Sequence, residues 1–108
     1  MRNESKEFTL IDKDFTAEGT ISTKGEMIIK GTLKGNLTGK KVVIAREGTA
    51  RANIDVASIT IGGIFEGELN ASEELIIRST GKCSGKIVCK TLVVESGGVL
   101  NAEISCKP

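Results

Sequence analysis

Six short apolar segments recur along the 108-residue chain at nearly even intervals, and that recurrence leaves few folds open. They are Thr9-Leu10-Ile11, Met27-Ile28-Ile29, Val42-Val43-Ile44, Ile59-Thr60-Ile61, Leu75-Ile76-Ile77 and Leu92-Val93-Val94, with last residues 18, 15, 17, 16 and 17 positions apart. Each is followed by a second segment of period two: Ala17/Gly19/Ile21/Thr23, Leu33/Gly35/Leu37/Gly39, Ala50/Ala52/Ile54/Val56, Phe65/Gly67/Leu69/Ala71, Cys83/Gly85/Ile87/Cys89 and Leu100/Ala102/Ile104/Cys106. The third member is always Ile or Leu, the second always Gly or Ala, and the residues between are polar. Alternation of this kind predicts half-buried strands, and no helical period competes with it.

A unit of about 17 residues cannot bury its own apolar face, but stacked copies share one continuous core. At ~3.3 Å per residue one unit has a contour of about 55 Å, enough for three short faces, and six units at ~4.8 Å make a rod of roughly 29 Å. The pattern predicts an all-β chain, a parallel β-helix of triangular section with about six coils over residues 9–106. An N-terminal arm (1–8) and a C-terminal stub (107–108) flank it. The small second column is expected because opposing side chains in so narrow a section cannot all be large. Turns fall at Arg46-Glu47-Gly48, Gly62-Gly63, Ser79-Thr80-Gly81 and Ser96-Gly97-Gly98, where glycine is expected to supply positive φ.

Composition then removes whole classes of function. The chain has no His, which excludes His-dependent triads and His-ligated zinc, and Cys83, Cys89 and Cys106 lack metal-binding spacing. No cofactor is expected. Fifteen Lys+Arg against 14 Asp+Glu give a net charge of +1, so nucleic acid is not an expected partner. Gly35-Asn-Leu-Thr-Gly39-Lys40-Lys41 is one residue short of a phosphate-binding loop and ends in Lys, so any assembly must proceed without nucleotide hydrolysis. The segment Met1–Glu7 has mixed charge and no apolar run after it, and no stretch approaches the ~20 apolar residues of a membrane span. A cytoplasmic location is expected.

The stretches Ile29-Lys-Gly-Thr-Leu-Lys-Gly-Asn-Leu37, Val43-Ile-Ala-Arg-Glu-Gly-Thr-Ala50, Ile61-Gly-Gly-Ile-Phe-Glu-Gly-Glu-Leu69 and Leu92-Val-Val-Glu-Ser-Gly-Gly-Val-Leu100 resemble those of the bactofilins, bacterial cytoskeletal proteins. The likeness lies in the ordered alternation of short and long turns across six coils rather than in any single motif. It implies a right-handed β-helix that polymerises without nucleotide into filaments, commonly at the inner face of the cell membrane. Those filaments would serve cell shape and scaffold cell-wall hydrolases or membrane proteins. Two departures stand out. Leu100 occupies a last-coil position where the family usually has Phe, linked there to end-to-end assembly, and its apolar character predicts that assembly survives. The segment Met1–Glu7 does not match the apolar membrane-binding tail of some members, which leaves direct membrane binding without a basis in the sequence.

The ends of such a rod are the first candidate site. A terminal coil leaves backbone groups and inward columns without a neighbour, and neither arm nor stub makes a cap of useful size, so edge-to-edge self-association is expected. Phe15, Ala17 and Ile21 at one end and Val94, Leu100 and Ile104 at the other are the predicted interface. Whether like or unlike ends meet is left open by the residues. The second candidate is an outward apolar stripe, one residue per coil: Leu10, Ile28, Val43, Ile76 and Val93, with Thr60 interrupting it. Used alone, it would make the chain a monomeric adaptor. Glu66 and Glu68, with Lys34 or Asn36 a coil away, are read as solvated charge rather than a catalytic pair, and no enzymatic activity is expected. Cys89 and Cys106 share a column in successive coils, close enough for a disulfide, but small buried filler is the expected role, as for Cys83.

Overall fold

The computed structural model describes residues 8–12, 14–22 and 25–106; the side chains of residues 8–11 and 106 lie outside that description. Nine strands follow in order: β1 (Phe8–Ile11), β2 (Thr16–Ser22), β3 (Glu26–Ile29), β4 (Thr32–Thr38), β5 (Lys41–Ile44), β6 (Thr49–Ile61), β7 (Ile64–Ile77), β8 (Lys82–Val94) and β9 (Val99–Cys106). All pairings are parallel, and the described residues contain no helix. The strands wind into a β-solenoid of six stacked layers joined by five circuits, because β6, β7 and β8 each close one coil and open the next.

The register follows the columns read from the sequence. In the first strand of the coils, Met27 pairs with Val42, Val42 with Ile59, Ile59 with Leu75 and Leu75 with Leu92. In the second, Ile21, Leu37, Ile54, Leu69, Ile87 and Ile104 form one unbroken ladder. Between Val56 and Ser58 and between Ala71 and Glu74 the register slips, and these irregularities make the corner from second strand back to first.

The core fills the bore of the solenoid. Its largest fully buried members are Phe65, Met27, Ile29, Leu33, Leu37 and Ile44, and no polar or charged side chain is buried among the described residues. Aliphatic and β-branched side chains suit this interior, because each packs against an identical position one layer above and below. Among the described residues Phe65 is the one ring it holds, and the same column offers Ala50 below and Cys83 above. Small neighbours leave the volume that the ring occupies.

Glycine acts here for the reverse of the reasons expected. The small second column is not small to avoid side chains across the bore. At Gly35, φ is +122°, and a Cβ would point along the stack into the backbone of Gly19. Gly19, Gly67 and Gly85 have φ between +114° and +128°, so the column bends the strand. Ala52, in the same column, has ordinary φ and turns its methyl inward. The turn glycines, by contrast, mostly do without positive φ; Gly97 alone among them has it, at +97°. At Gly48 and Gly63 the need is close approach, since a Cβ would run into carbonyls of the preceding coil.

Candidate functional site: the ends and flanks of the solenoid

A buried column in a solenoid stays buried only while it has a neighbour on both sides. Ile29, Ile44, Ile61 and Ile77 are fully buried, yet Val94, the next member of that column, is 41% exposed. Leu33, Ala50, Phe65 and Cys83 are buried, and Leu100 above them is half-buried. Ile104 caps the Leu37–Ile87 ladder and Leu92 the Met27–Leu75 ladder, both only partly covered. The last coil therefore presents the cross-section of the core as a surface, rimmed by Val93 and Val99, which are 42% and 46% exposed.

At the other end, Ala17 and Ile21 are half-buried and pack on the core, and Phe15 is 65% exposed. The structure thus brings Phe15, Ala17 and Ile21 together in the first coil and Val94, Leu100 and Ile104 together in the last. Sequence reasoning missed Leu92 and Val99 at the second end. The period-two pattern already marked Leu92 as inward, so the signal for it was present. Val99 was not signalled: its column runs Thr32, Thr49, Ile64, Lys82, Val99, with no consistent character.

The lateral stripe is less open than its outward position implies. Ile28, Val43, Thr60 and Ile76 are half-buried and Val93 is exposed, while the side chain of Leu10 lies outside the described residues. In-register stacking explains the half burial: Val43, Thr60 and Ile76 each have a column neighbour above and below, whereas Val93 has one on the Ile76 side alone.

Charge on the flanks is arranged in cross-coil pairs. Lys41 meets Glu26 at 3.6 Å, Arg51 meets Glu66 at 3.5 Å, and Arg78 meets Glu95 at 3.2 Å. The coil neighbour of Glu66 is therefore Arg51, not Lys34, which lies one coil further away. These pairs are more than two-fifths exposed and contribute about 0–1 kcal/mol each. A shallow groove runs along the second-strand face over Asn36, Asn53, Glu68 and Lys86 on one side and Thr38, Asp55 and Asn70 on the other. In its columns Asp55 stands between Thr38 and Asn70, and Glu68 between Asn53 and Lys86. Among the described residues no three His, Cys, Asp or Glu side chains gather as a metal site requires.

Cys89 and Cys106 are Cα partners in adjacent coils, as the column assignment predicts. Cys83 and Cys89 are both buried. Burial pushes the Cys83 thiol up to about 12 from 9.0, which keeps it protonated and unreactive.

This architecture has relatives. A family model described as bactofilin, polymer-forming cytoskeletal, matches residues 9–105. The chain is 23% identical over 97 residues to bactofilin BacO of Myxococcus xanthus (strain DK1622), covering 89% of this chain and 77% of BacO. It is 20% identical over 97 residues to bactofilin BacP of the same organism, covering 89% of this chain but 40% of BacP. Among solved structures, the cytoskeletal bactofilin BacA, determined by solid-state NMR, superposes with a TM-score of 0.72 at 19% identity, over 95% of this chain and 99% of that one. The β-solenoid, its stacked columns and the match along nearly the whole repeat place this chain in the bactofilin family of polymer-forming cytoskeletal proteins.

Proposed function

We propose that this chain is a structural element that polymerises end to end, without nucleotide, into cytoplasmic filaments that scaffold cell-shape or cell-wall machinery at the inner face of the membrane. The observation that carries this reading is the exposure of the core's own cross-section at the last coil. Val94 is 41% exposed where its four column partners Ile29, Ile44, Ile61 and Ile77 are fully covered, and Leu92, Leu100 and Ile104 are likewise half open. Edge-on stacking of a second copy covers these side chains and pairs the terminal strand's free backbone groups in one step. Nothing in that step needs an energy source, so assembly is passive. Partners among cell-wall hydrolases or membrane proteins fit the family's cytoskeletal character.

Negative-stain electron microscopy of the purified protein, without nucleotide or metal, tests the proposal against its Leu100→Asp variant. Filaments a few nanometres wide are expected from the parent chain. In the variant a charge stands in the apolar contact, a change on the order of several kcal/mol per junction. Because about 1.4 kcal/mol is tenfold in affinity, filaments should be lost while the far-ultraviolet circular dichroism of β structure is kept. Discrete monomers from the parent chain across salt and pH would sink the polymer reading. They would favour an adaptor that binds through Ile28, Val43, Ile76 and Val93.

A further inference from the structure

One corner of the coil recurs in every layer, as a long turn in four coils and a short one in two. The residue that opens it in the long-turn coils donates its N–H three residues back: Phe15 to Asp12 at 3.0 Å, Gly48 to Ala45 at 2.8 Å, Gly81 to Arg78 at 2.9 Å and Gly98 to Glu95 at 2.9 Å. Its carbonyl then accepts from the next coil: Phe15 from Thr32 at 2.9 Å, Gly31 from Thr49 at 2.8 Å, Gly48 from Ile64 at 3.0 Å, Gly63 from Lys82 at 2.7 Å, and Gly81 from Val99 at 3.0 Å. These bonds thread one column: Phe15, Gly31, Gly48, Gly63, Gly81, Gly98.

Five of its six members are glycine, and the reason is axial. A Cβ at Gly31 would overlap the carbonyls of Asp12 and Phe15 in the preceding coil; at Gly63, those of Gly48 and Ala45; at Gly81, that of Ile61. At Gly98 it would come within 2.9 Å of the Arg78 carbonyl. The carbonyls of Phe15, Gly48 and Ile61 accept cross-coil hydrogen bonds and those of Asp12, Ala45 and Arg78 accept turn bonds within their own coil, so these backbone atoms cannot rotate away. Phe15, in the first coil described, is the exception, and it is 65% exposed.

We infer that Phe15 is a stop that prevents the last coil of a second copy from continuing the solenoid in register onto the N-terminal end. A last coil docked there would stack one long turn on another, as Gly98 stacks on the Arg78 turn, and would bring the carbonyl of Glu95 under Phe15 as that of Arg78 lies 2.9 Å from a Cβ at Gly98. The Cβ of Phe15 meets it before the backbone hydrogen bonds of a continuous β-helix can form. The stop lies in the Cβ, not in the ring. The inference rests on the end-to-end reading above and adds to it the residue that sorts which ends can join.

The test isolates each end. Leu100→Asp leaves the N-terminal end free to associate, and Ile21→Asp leaves the C-terminal end. An equal mixture of the two, one uniformly ¹⁵N-labelled, is read by native mass spectrometry, where a mixed dimer reports the joining of unlike ends. With Phe15 intact, no mixed dimer above the mixing background is expected. With Phe15→Gly added to the Leu100→Asp partner, mixed dimers should rise at least tenfold. Phe15→Ala, which keeps the Cβ, should stay at background. Mixed dimers with Phe15 intact, their absence with Phe15→Gly, or their appearance with Phe15→Ala each overturns the inference. Should the parent chain prove monomeric, the polymer reading fails separately. The glycine variant then still decides the stop: mixed dimers support it and their absence rejects it.

Discussion

At the scale of single residues, the interior is permissive of small polar character only when that character is silenced. Cys83 shows this. It fills the column between Phe65 and Leu100, and burial raises its pKa from 9.0 to about 12. Below pH 9 the thiol is protonated in both folded and unfolded chains, so its burial carries no pH dependence. From pH 9 toward 12 the unfolded thiol ionises while the folded one does not, and stability falls by roughly 1.4 kcal/mol per pH unit. Urea unfolding of the parent and Cys83→Ala chains at pH 7.5 and 10.5 checks this. Lysine and carboxylate titrations cancel in the comparison, and the parent's advantage over Cys83→Ala should shrink by about 2 kcal/mol at the higher pH. An advantage that is the same at both values means the thiol is solvated in the folded chain.

At the scale of the coil, the sequence was most legible where chemistry repeats and least legible where backbone geometry does. The inward columns, such as Ile21 through Ile104, could be read because burial selects residue type at every layer, and the observed register reproduces them. Glycine was readable as a column but not as a cause. The residue type is the same whether it answers to positive φ, as at Gly35, or to a close carbonyl, as at Gly63. Phe15 stands two residues before Ala17, as Gly31, Gly48, Gly63, Gly81 and Gly98 stand before Leu33, Ala50, Phe65, Cys83 and Leu100, so its column was legible, but the close carbonyls that demand glycine there were not. Gly19 and Gly35 separate the two causes. Both have positive φ, at +114° and +122°, but nothing lies within 4 Å of a Cβ at Gly19, whereas one at Gly35 strikes the backbone of Gly19. Gly19→Ala should therefore cost about 1–2 kcal/mol, the strain of a left-handed alanine. Gly35→Ala adds a backbone collision and should cost at least 3 kcal/mol. Urea midpoints at unchanged m-value measure both. Equal losses would mean that the bend alone demands glycine in this column.

At the scale of the whole molecule, a solenoid is close to a one-dimensional stack in which each coil is stabilised by its nearest neighbours. Coils two to five have two neighbours, and their inward side chains are fully buried; the first and last have one, and among the described residues Ala17 and Ile21 of the first and Leu92, Val94, Leu100 and Ile104 of the last are partly open. Local opening should follow that profile, with the ends fraying well before the middle. Assembly by stacking supplies the missing neighbour and so should act on the ends alone. Hydrogen exchange of the parent chain at a concentration that supports filaments, set against Leu100→Asp at the same concentration, reads this directly. Amides of Leu92–Val94 and Leu100–Ile104 should exchange at least tenfold more slowly in the assembled parent, and those of Ile59–Ile61 should not change. Slower exchange centred instead on Ile28, Val43 and Ile76 would place the contact on the flank. The end faces would then be surfaces that no copy covers, and the half-open columns would reflect only the finite length of the stack.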